Sequence, residues 1–358
     1  MAQSPNTLAG ITAKQITSSR LTTRVLFSGN DEATPVIFVH GNVSSATFWE
    51  ETMLALPAEF RGIAPDNRGY GGADRDAKID ATRGCGDLSD DLASLLDHLG
   101  IEKAHVVGHS LGGAVLWRFM TDYPERILSV TQVAPGSPYG FGGCKGLDGE
   151  LNYPDGAGSG AGIVNPAFVT AITAGDTSAD HDTSPRNIMN TFYWKPPYTS
   201  DRADDLVLSM LSIHTGADAY AGDSVPSANW PMSAPGKFGP NNMLSPSYRG
   251  DVDALTAIPN KPPVLWVRGV DDQIVSDTSL FDAGFLGQLG AIPGWPGADV
   301  FPPQPMVSQT RAVLEKYQAA GGAYEEVAIA DCGHTPYLEK ADEFNRAFHA
   351  FLTGEGKR

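Results

Sequence analysis

A serine hydroxyl set between glycines, with a histidine and an aspartate elsewhere in the chain to activate it, is the chemistry this sequence offers first. Ser110 stands in Gly108-His-Ser-Leu-Gly112, after the β-branched residues Val106 and Val107. A run follows in which Leu111, Ala114, Val115, Phe119 and Met120 recur at helical spacing up to Pro124. A tight strand-to-helix turn gives such a serine strained backbone angles and an exposed hydroxyl, and glycines on either side let strand and helix approach closely. The amide of Leu111 then points to where an oxyanion would form. A serine hydroxyl is a weak nucleophile at neutral pH, so it needs a base within hydrogen-bond reach, itself oriented by a carboxylate.

Two later segments supply those partners. The run Val264-Leu-Trp-Val267 reads as a buried strand that ends near Gly269 and is followed by Asp271 and Asp272. Asp272 is chosen as the acid, with Asp271 as the alternative; capping the next turn is the ordinary work of such a pair. His334 is chosen as the base among eight histidines, because it follows the last strand, beside a glycine, in a loop of the kind that positions catalytic groups. His98 and His349 fall inside helices, and His181 and His214 in the middle segment. His109, although next to the serine, is expected to leave the turn in another direction. A third segment, His40-Gly-Asn-Val43, follows an apolar strand over 35–39. Its glycine lets the backbone bend, so that the Asn42 and Leu111 N–H groups would form a two-donor oxyanion hole. His40 is read as structural support for that loop.

These residues must be carried on alternating strands and helices. Residues 11–16 and 21–27 read as an opening antiparallel pair, 35–39 and 60–65 as the next strands, 88–99 as an amphipathic helix ended by Gly100, and 126–133 as a further strand. Such alternation marks a mostly parallel central sheet flanked by helices. It resumes at 263–267 and 324–330 and closes with a helix over 344–352. In between, the composition turns to glycine, proline and aromatics, and Asn165-Pro166, Ser184-Pro185 and Ser200-Asp201 each read as a helix start. The expected division is an α/β core over 1–135 and 251–358 with an inserted, mainly helical cap over 136–250. A smaller insertion covers 276–305.

Four motifs therefore stand in order: His40-Gly41, Asp66-Asn-Arg-Gly-Tyr-Gly71, the turn around Ser110, and the late pair over 269–275 and 332–339. On them the chain resembles α/β-hydrolase-fold proteins. The resemblance implies the roles of nucleophile, acid and base for Ser110, Asp272 and His334, and of oxyanion amides for Asn42 and Leu111. His40-Gly-Asn-Val-Ser-Ser is similar to the loop of haloalkane dehalogenases, and residues 66–71 to that of epoxide hydrolases. Both groups attack with an aspartate, whereas serine here implies an acyl-enzyme route.

Bulk composition narrows the partners. The charge of −17, from 25 basic and 42 acidic residues without a basic run, excludes a nucleic-acid surface. Three scattered cysteines without a C-x-x-C pair make neither a disulfide framework nor a zinc site. No stretch of about eighteen apolar residues offers a membrane span, and no apolar leader opens the chain. The expectation is a cytoplasmic protein without cofactor or metal, its oligomeric state open with a homodimer among the options. It would cleave a carboxylic ester or lactone of a bulky, largely apolar small molecule, with Trp194, Tyr139 and Phe192 of the aromatic-rich cap lining the pocket. The alternatives are an amide or carbon–carbon bond hydrolase with the same triad, and a non-catalytic small-molecule receptor.

Overall fold

The computed structural model describes residues 6–354. Among them, eight strands form one sheet. They are β1 (Thr12–Thr17), β2 (Thr22–Ser28), β3 (Thr34–Val39), β4 (Phe60–Pro65), β5 (Ala104–His109), β6 (Ile127–Val133), β7 (Val264–Gly269) and β8 (Tyr324–Ile329). Across the sheet the order is β1, β2, β4, β3, β5, β6, β7, β8. The β1–β2 and β2–β4 pairings are antiparallel, and from β4 to β8 every pairing is parallel. Strands covered on both faces carry continuous apolar runs. Val36, Ile37 and Phe38, Val106 and Val107, and Val264 to Val267 are all buried.

The longer helices are α1 (Gly86–His98), α2 (Leu111–Asp122), α3 (Pro166–Ala174), α4 (Ala203–Leu211), α5 (Met306–Ala319) and α6 (Ala341–Thr353). On one face α1 packs on α2, and the short turn Ala254–Ala257 links α2 to α5. On the other, Glu50–Leu54, Pro336–Glu339 and α6 follow one another in contact. The chain leaves β3 to one side for β4 and returns to the other side for β5, so right-handed crossovers divide the helices between the faces.

Where the direction reverses, β3 and β5 lie side by side, and the edge beyond their carboxyl ends is the usual ligand position in such sheets. The loops at that edge carry Asn42 after β3, Asp66 after β4, Ser110 after β5, Asp272 after β7 and His334 after β8. The middle segment, residues 136–250, meets the stretch that follows β3 through side-chain bonds. Ser209 bonds Ser45 at 2.5 Å, Arg202 bonds the buried Glu50 at 2.9 Å, and Asn42 bonds Asn241 at 3.3 Å.

Loops make up most of this segment, and its helices are short. Asn165 caps α3 through the Ala167 N–H, and Ser184 caps Pro185–Ile188, which runs on into a wider π turn over Met189–Tyr193. The third expected start is displaced: Ser200 bonds the Arg202 N–H in a preceding turn, and α4 begins at Ala203 with Asp204 and Asp205 in its first turn. Acidic residues there complement the positive end of the helix dipole, so the aspartates rather than the serine mark the start. Several aromatics of the two insertions serve packing, for Trp230 and Phe301 form a separate apolar cluster joined by Tyr153 and Trp295. Among the described residues no helix is long and apolar enough to cross a membrane.

Candidate active site

Ser110 ends β5 and starts α2 with φ 54° and ψ −114°, angles that side-chain-bearing residues rarely adopt. Such a conformation costs on the order of 1–3 kcal/mol and persists only where its surroundings over-determine it. Here the Ser110 N–H donates to the Val133 carbonyl at 3.0 Å, and its own carbonyl accepts from Ala114 at 3.1 Å and Gly136 at 3.0 Å. Gly112 supplies the close approach, since a side chain there would run into the Val39 and His40 carbonyls at the end of β3. Leu111, as the first residue of α2, has an N–H with no intrahelical acceptor.

Asp272 and His334 are both buried and meet at 2.7 Å between Oδ2 and Nδ1. The other carboxylate oxygen of Asp272 accepts the Ile274 and Val275 N–H groups at 2.8 and 3.0 Å, which fixes the carboxyl plane. Asp271 takes no part in this, because its carboxylate pairs with Lys195 at 3.0 Å. Glycine is required where β7 meets the histidine loop, for a side chain on Gly269 would collide with the Cys332 and Gly333 carbonyls.

His109 does not leave the turn as its position in the motif suggested. Its Nε2–H donates to the His334 carbonyl at 2.9 Å, its ring lies 4.6 Å from the His334 ring, and Tyr337 donates to its Nδ1 at 3.4 Å. The residue beside Ser110 thus touches the residue proposed as its base. Burial, the adjacent His334 and His40 hold its pKa well below the ordinary imidazole value, so it stays neutral with the proton on Nε2. A histidine flanked by glycine and serine carries no pattern that distinguishes this role in sequence.

The loop after β3 passes directly over the serine: a side chain on Gly41 would meet Ser110 Cβ at 3.2 Å and the His109 ring at 2.9 Å. Among the described residues no acceptor takes the Asn42 N–H. Asn42 Oδ1 accepts from the Val43 N–H at 3.0 Å and from the Tyr70 hydroxyl at 2.8 Å, which orients the side-chain amide. His40 supports the loop as expected. It bonds the Gly41 carbonyl through Nδ1 at 2.8 Å and accepts the Asn67 N–H at Nε2 at 3.0 Å, while burial lowers its pKa to about 4. Asp66 ties the two neighbouring loops together, accepting from Arg24, from Ala46 N–H at 2.9 Å and from Gly72 N–H at 2.7 Å. Burial alone would raise its pKa, but the Arg24 charge and hydrogen bonds hold it below the usual carboxylate value.

A family model described as alpha/beta hydrolase fold matches residues 34–283, a stretch that includes the serine turn, Asn42 and Asp272. The chain belongs to this family. This α/β hydrolase is 27% identical over 175 residues to the uncharacterized carboxylesterase nap of Bacillus subtilis, covering 46% of its own length and 57% of the relative's. It is 34% identical over 124 residues to epoxide hydrolase A of Mycobacterium tuberculosis, covering 34% and 38% of the two chains. In both cases the match spans less than two thirds of the curated relative. Among solved structures, carboxylesterase CesB (YbfK) from Bacillus subtilis shares the fold with a TM-score of 0.57 at 16% identity, over 96% of this chain and 92% of that one.

The aromatics expected to line the pocket of this hydrolase divide three ways. Phe192 is half-buried and makes a T-shaped pair with Phe281, 5.1 Å away, just beyond the Asp272 loop. Trp194 reaches the histidine loop with its main chain, which abuts Gly333, while its ring packs on Tyr198 at 5.5 Å. Tyr139 belongs elsewhere and is a correction to the sequence reading. Its ring lies under the Arg249 guanidinium at 4.7 Å and borders a polar hollow of about 430 Å³ with Asp148, Asp251 and Lys316. The backbone at Gly136 returns to the serine turn, but by residue 139 the chain has turned the side chain toward this other surface. The three cysteines are unpaired, and burial pushes each thiol pKa up, so Cys332 beside the histidine loop is packing rather than a nucleophile.

Proposed function

We propose that this protein is a serine hydrolase that cleaves a carboxylic ester or lactone of a bulky, largely apolar small molecule through an acyl-enzyme. The observation that carries the reading is the buried Asp272–His334 hydrogen bond, set beside the strained turn that presents Ser110. Asp272 on Nδ1 leaves His334 Nε2 as the proton acceptor. The imidazole removes the Ser110 proton as the seryl oxygen attacks the substrate carbonyl carbon. The carbonyl π electrons move to oxygen, and the Asn42 and Leu111 N–H groups stabilise that charge; each such donor is typically worth about 3 kcal/mol in the transition state. The carbon–oxygen bond to the leaving group then breaks, His334 returns the proton to the alcohol, and water repeats the sequence on the acyl-enzyme.

An apolar substrate fits the aromatic pair Phe192 and Phe281 near the acid loop and the pairing of Lys195 with Asp271 and Asp331, which leaves that cation engaged. The carboxylesterase named among the relatives agrees with an ester as substrate. An epoxide is disfavoured because a seryl ether, unlike an acyl-enzyme, has no carbonyl for water to attack. Ser110→Ala is expected to lower turnover of p-nitrophenyl esters by about 10⁴-fold or more and to abolish labelling by a fluorophosphonate, with an unchanged circular dichroism spectrum. Full activity in that variant would end the proposal, and a wild-type protein inert to both reagents would favour a receptor.

A further inference from the structure

The stretch 193–198 touches three of the loops assigned to the chemistry, those after β3, β7 and β8. Tyr193 donates its hydroxyl to the Val43 carbonyl, beside Asn42, at 2.9 Å, and its own carbonyl accepts from Thr335 Oγ1, next to His334, at 2.7 Å. Both bonds are buried. Trp194 and Lys195 follow, and their main chain lies so close to Gly333 that a side chain on Gly333 would sit 2.7 Å from the Trp194 carbonyl carbon. Glu339 closes the joint: Oε1 accepts the Lys195 N–H at 3.1 Å and Oε2 accepts the Gly333 N–H at 2.6 Å. The Tyr198 hydroxyl donates to the Leu338 carbonyl at 3.0 Å. On the outside, Lys195 Nζ spans Asp271 at 3.0 Å and Asp331 at 2.8 Å.

We infer that residues 193–198 form a fixed brace that sets His334 in register with the oxyanion loop, and that Glu339 is the positioning residue at its centre. The inference rests on the reading of His334 as the base. Glu339 acts through backbone, because it accepts one N–H from each side of the joint. A carboxylate can accept both bonds at once, whereas a glutamine must turn its NH₂ group toward one of the two donors. The partly exposed Lys195 pairs contribute little, since salt bridges near the surface are commonly worth under about 1 kcal/mol. The buried bonds of Tyr193 and Thr335 and the part-buried ones of Glu339 carry the register.

Glu339→Gln tests this with two readouts. Losing one accepted bond and facing a donor with a donor should lower kcat on a p-nitrophenyl ester about tenfold while KM stays within about twofold, because only the geometry of the base changes. In the same variant, amide hydrogen exchange should quicken together at Gly333 and Lys195, on both sides of the joint. Thr335→Val, which keeps the shape and removes one buried bond, should reduce kcat about threefold and serves if Glu339→Gln fails to fold. Unchanged kcat, a loss confined to KM, or faster exchange on one side alone would overturn the brace. A wild-type protein that neither turns over the ester nor binds a fluorophosphonate would defeat the assignment of Ser110, and the exchange result would still decide whether Glu339 joins the two segments.

Discussion

His109 shows how much one side chain can do without taking part in the chemistry. It donates to the His334 carbonyl, accepts from Tyr337 and lies edge-on to Trp49, which itself stacks on Tyr337 at 4.1 Å. Removing that donor leaves the His334 carbonyl unpaired in a buried setting, which costs about 1–3 kcal/mol when nothing replaces it. His109→Phe should therefore lower kcat about tenfold, and His109→Gln, whose amide N–H mimics Nε2–H, should recover most of the loss. Equal kcat for the Phe variant and the parent protein would show that the bond does not position the base. The residue types were legible here because serine, histidine and aspartate each have distinctive chemistry at a strand end. Which neighbours hold them was not, because His109 and Glu339 are ordinary residues whose partners lie 225 positions away for His109 and 144 and 6 positions away for Glu339.

At the scale of elements, α4 is docked through a charge. Glu50, wholly buried at the start of Glu50–Leu54, accepts from Arg202 just ahead of α4 and from the Leu8 N–H at 3.0 Å, and burial raises its pKa despite the arginine. Taking away one partner of a buried pair strands the other, typically at a cost of about 3–5 kcal/mol. Arg202→Met should lower the urea midpoint markedly at pH 8 and less at pH 5, where Glu50 can take a proton; equal midpoints would show that the pair does not anchor α4. Strands and core helices were readable because apolar runs and 3.6-residue spacing are local: 60–65 coincides with β4, and 35–39 falls one residue short of β3. The start of α4 and the course of the glycine-rich loops were not, since their backbone bonds go to distant loops rather than along the segment.

For the molecule as a whole, buried neutral histidines make stability depend on pH. Burial holds His40 and His105 at about 4 against an ordinary 6.5, and it holds His109 well below that ordinary value. The unfolded chain takes up these protons first as pH falls below 6.5, so the contribution is complete above that value and is lost on acidification toward the folded-state values. For His40 alone the loss by pH 4 is about 3 kcal/mol. Asp282, raised to about 6 by burial, pulls the other way between its ordinary 3.8 and 6. The histidines outnumber it, and the unfolding free energy measured in urea should fall between pH 7 and 4.5, more steeply in Asp282→Asn; a flat profile would contradict the burial argument. By itself, the sequence determined the alternation of strands and helices, the strained serine turn and the residue types able to act with it, because each follows from short-range pattern and intrinsic chemistry. Only the tertiary structure decided that Asp272 rather than Asp271 meets His334, that Tyr139 faces another surface, and that 193–198 joins three loops. Those outcomes depend on where chain segments far apart in sequence come to rest against one another, and local pattern carries no record of such distances.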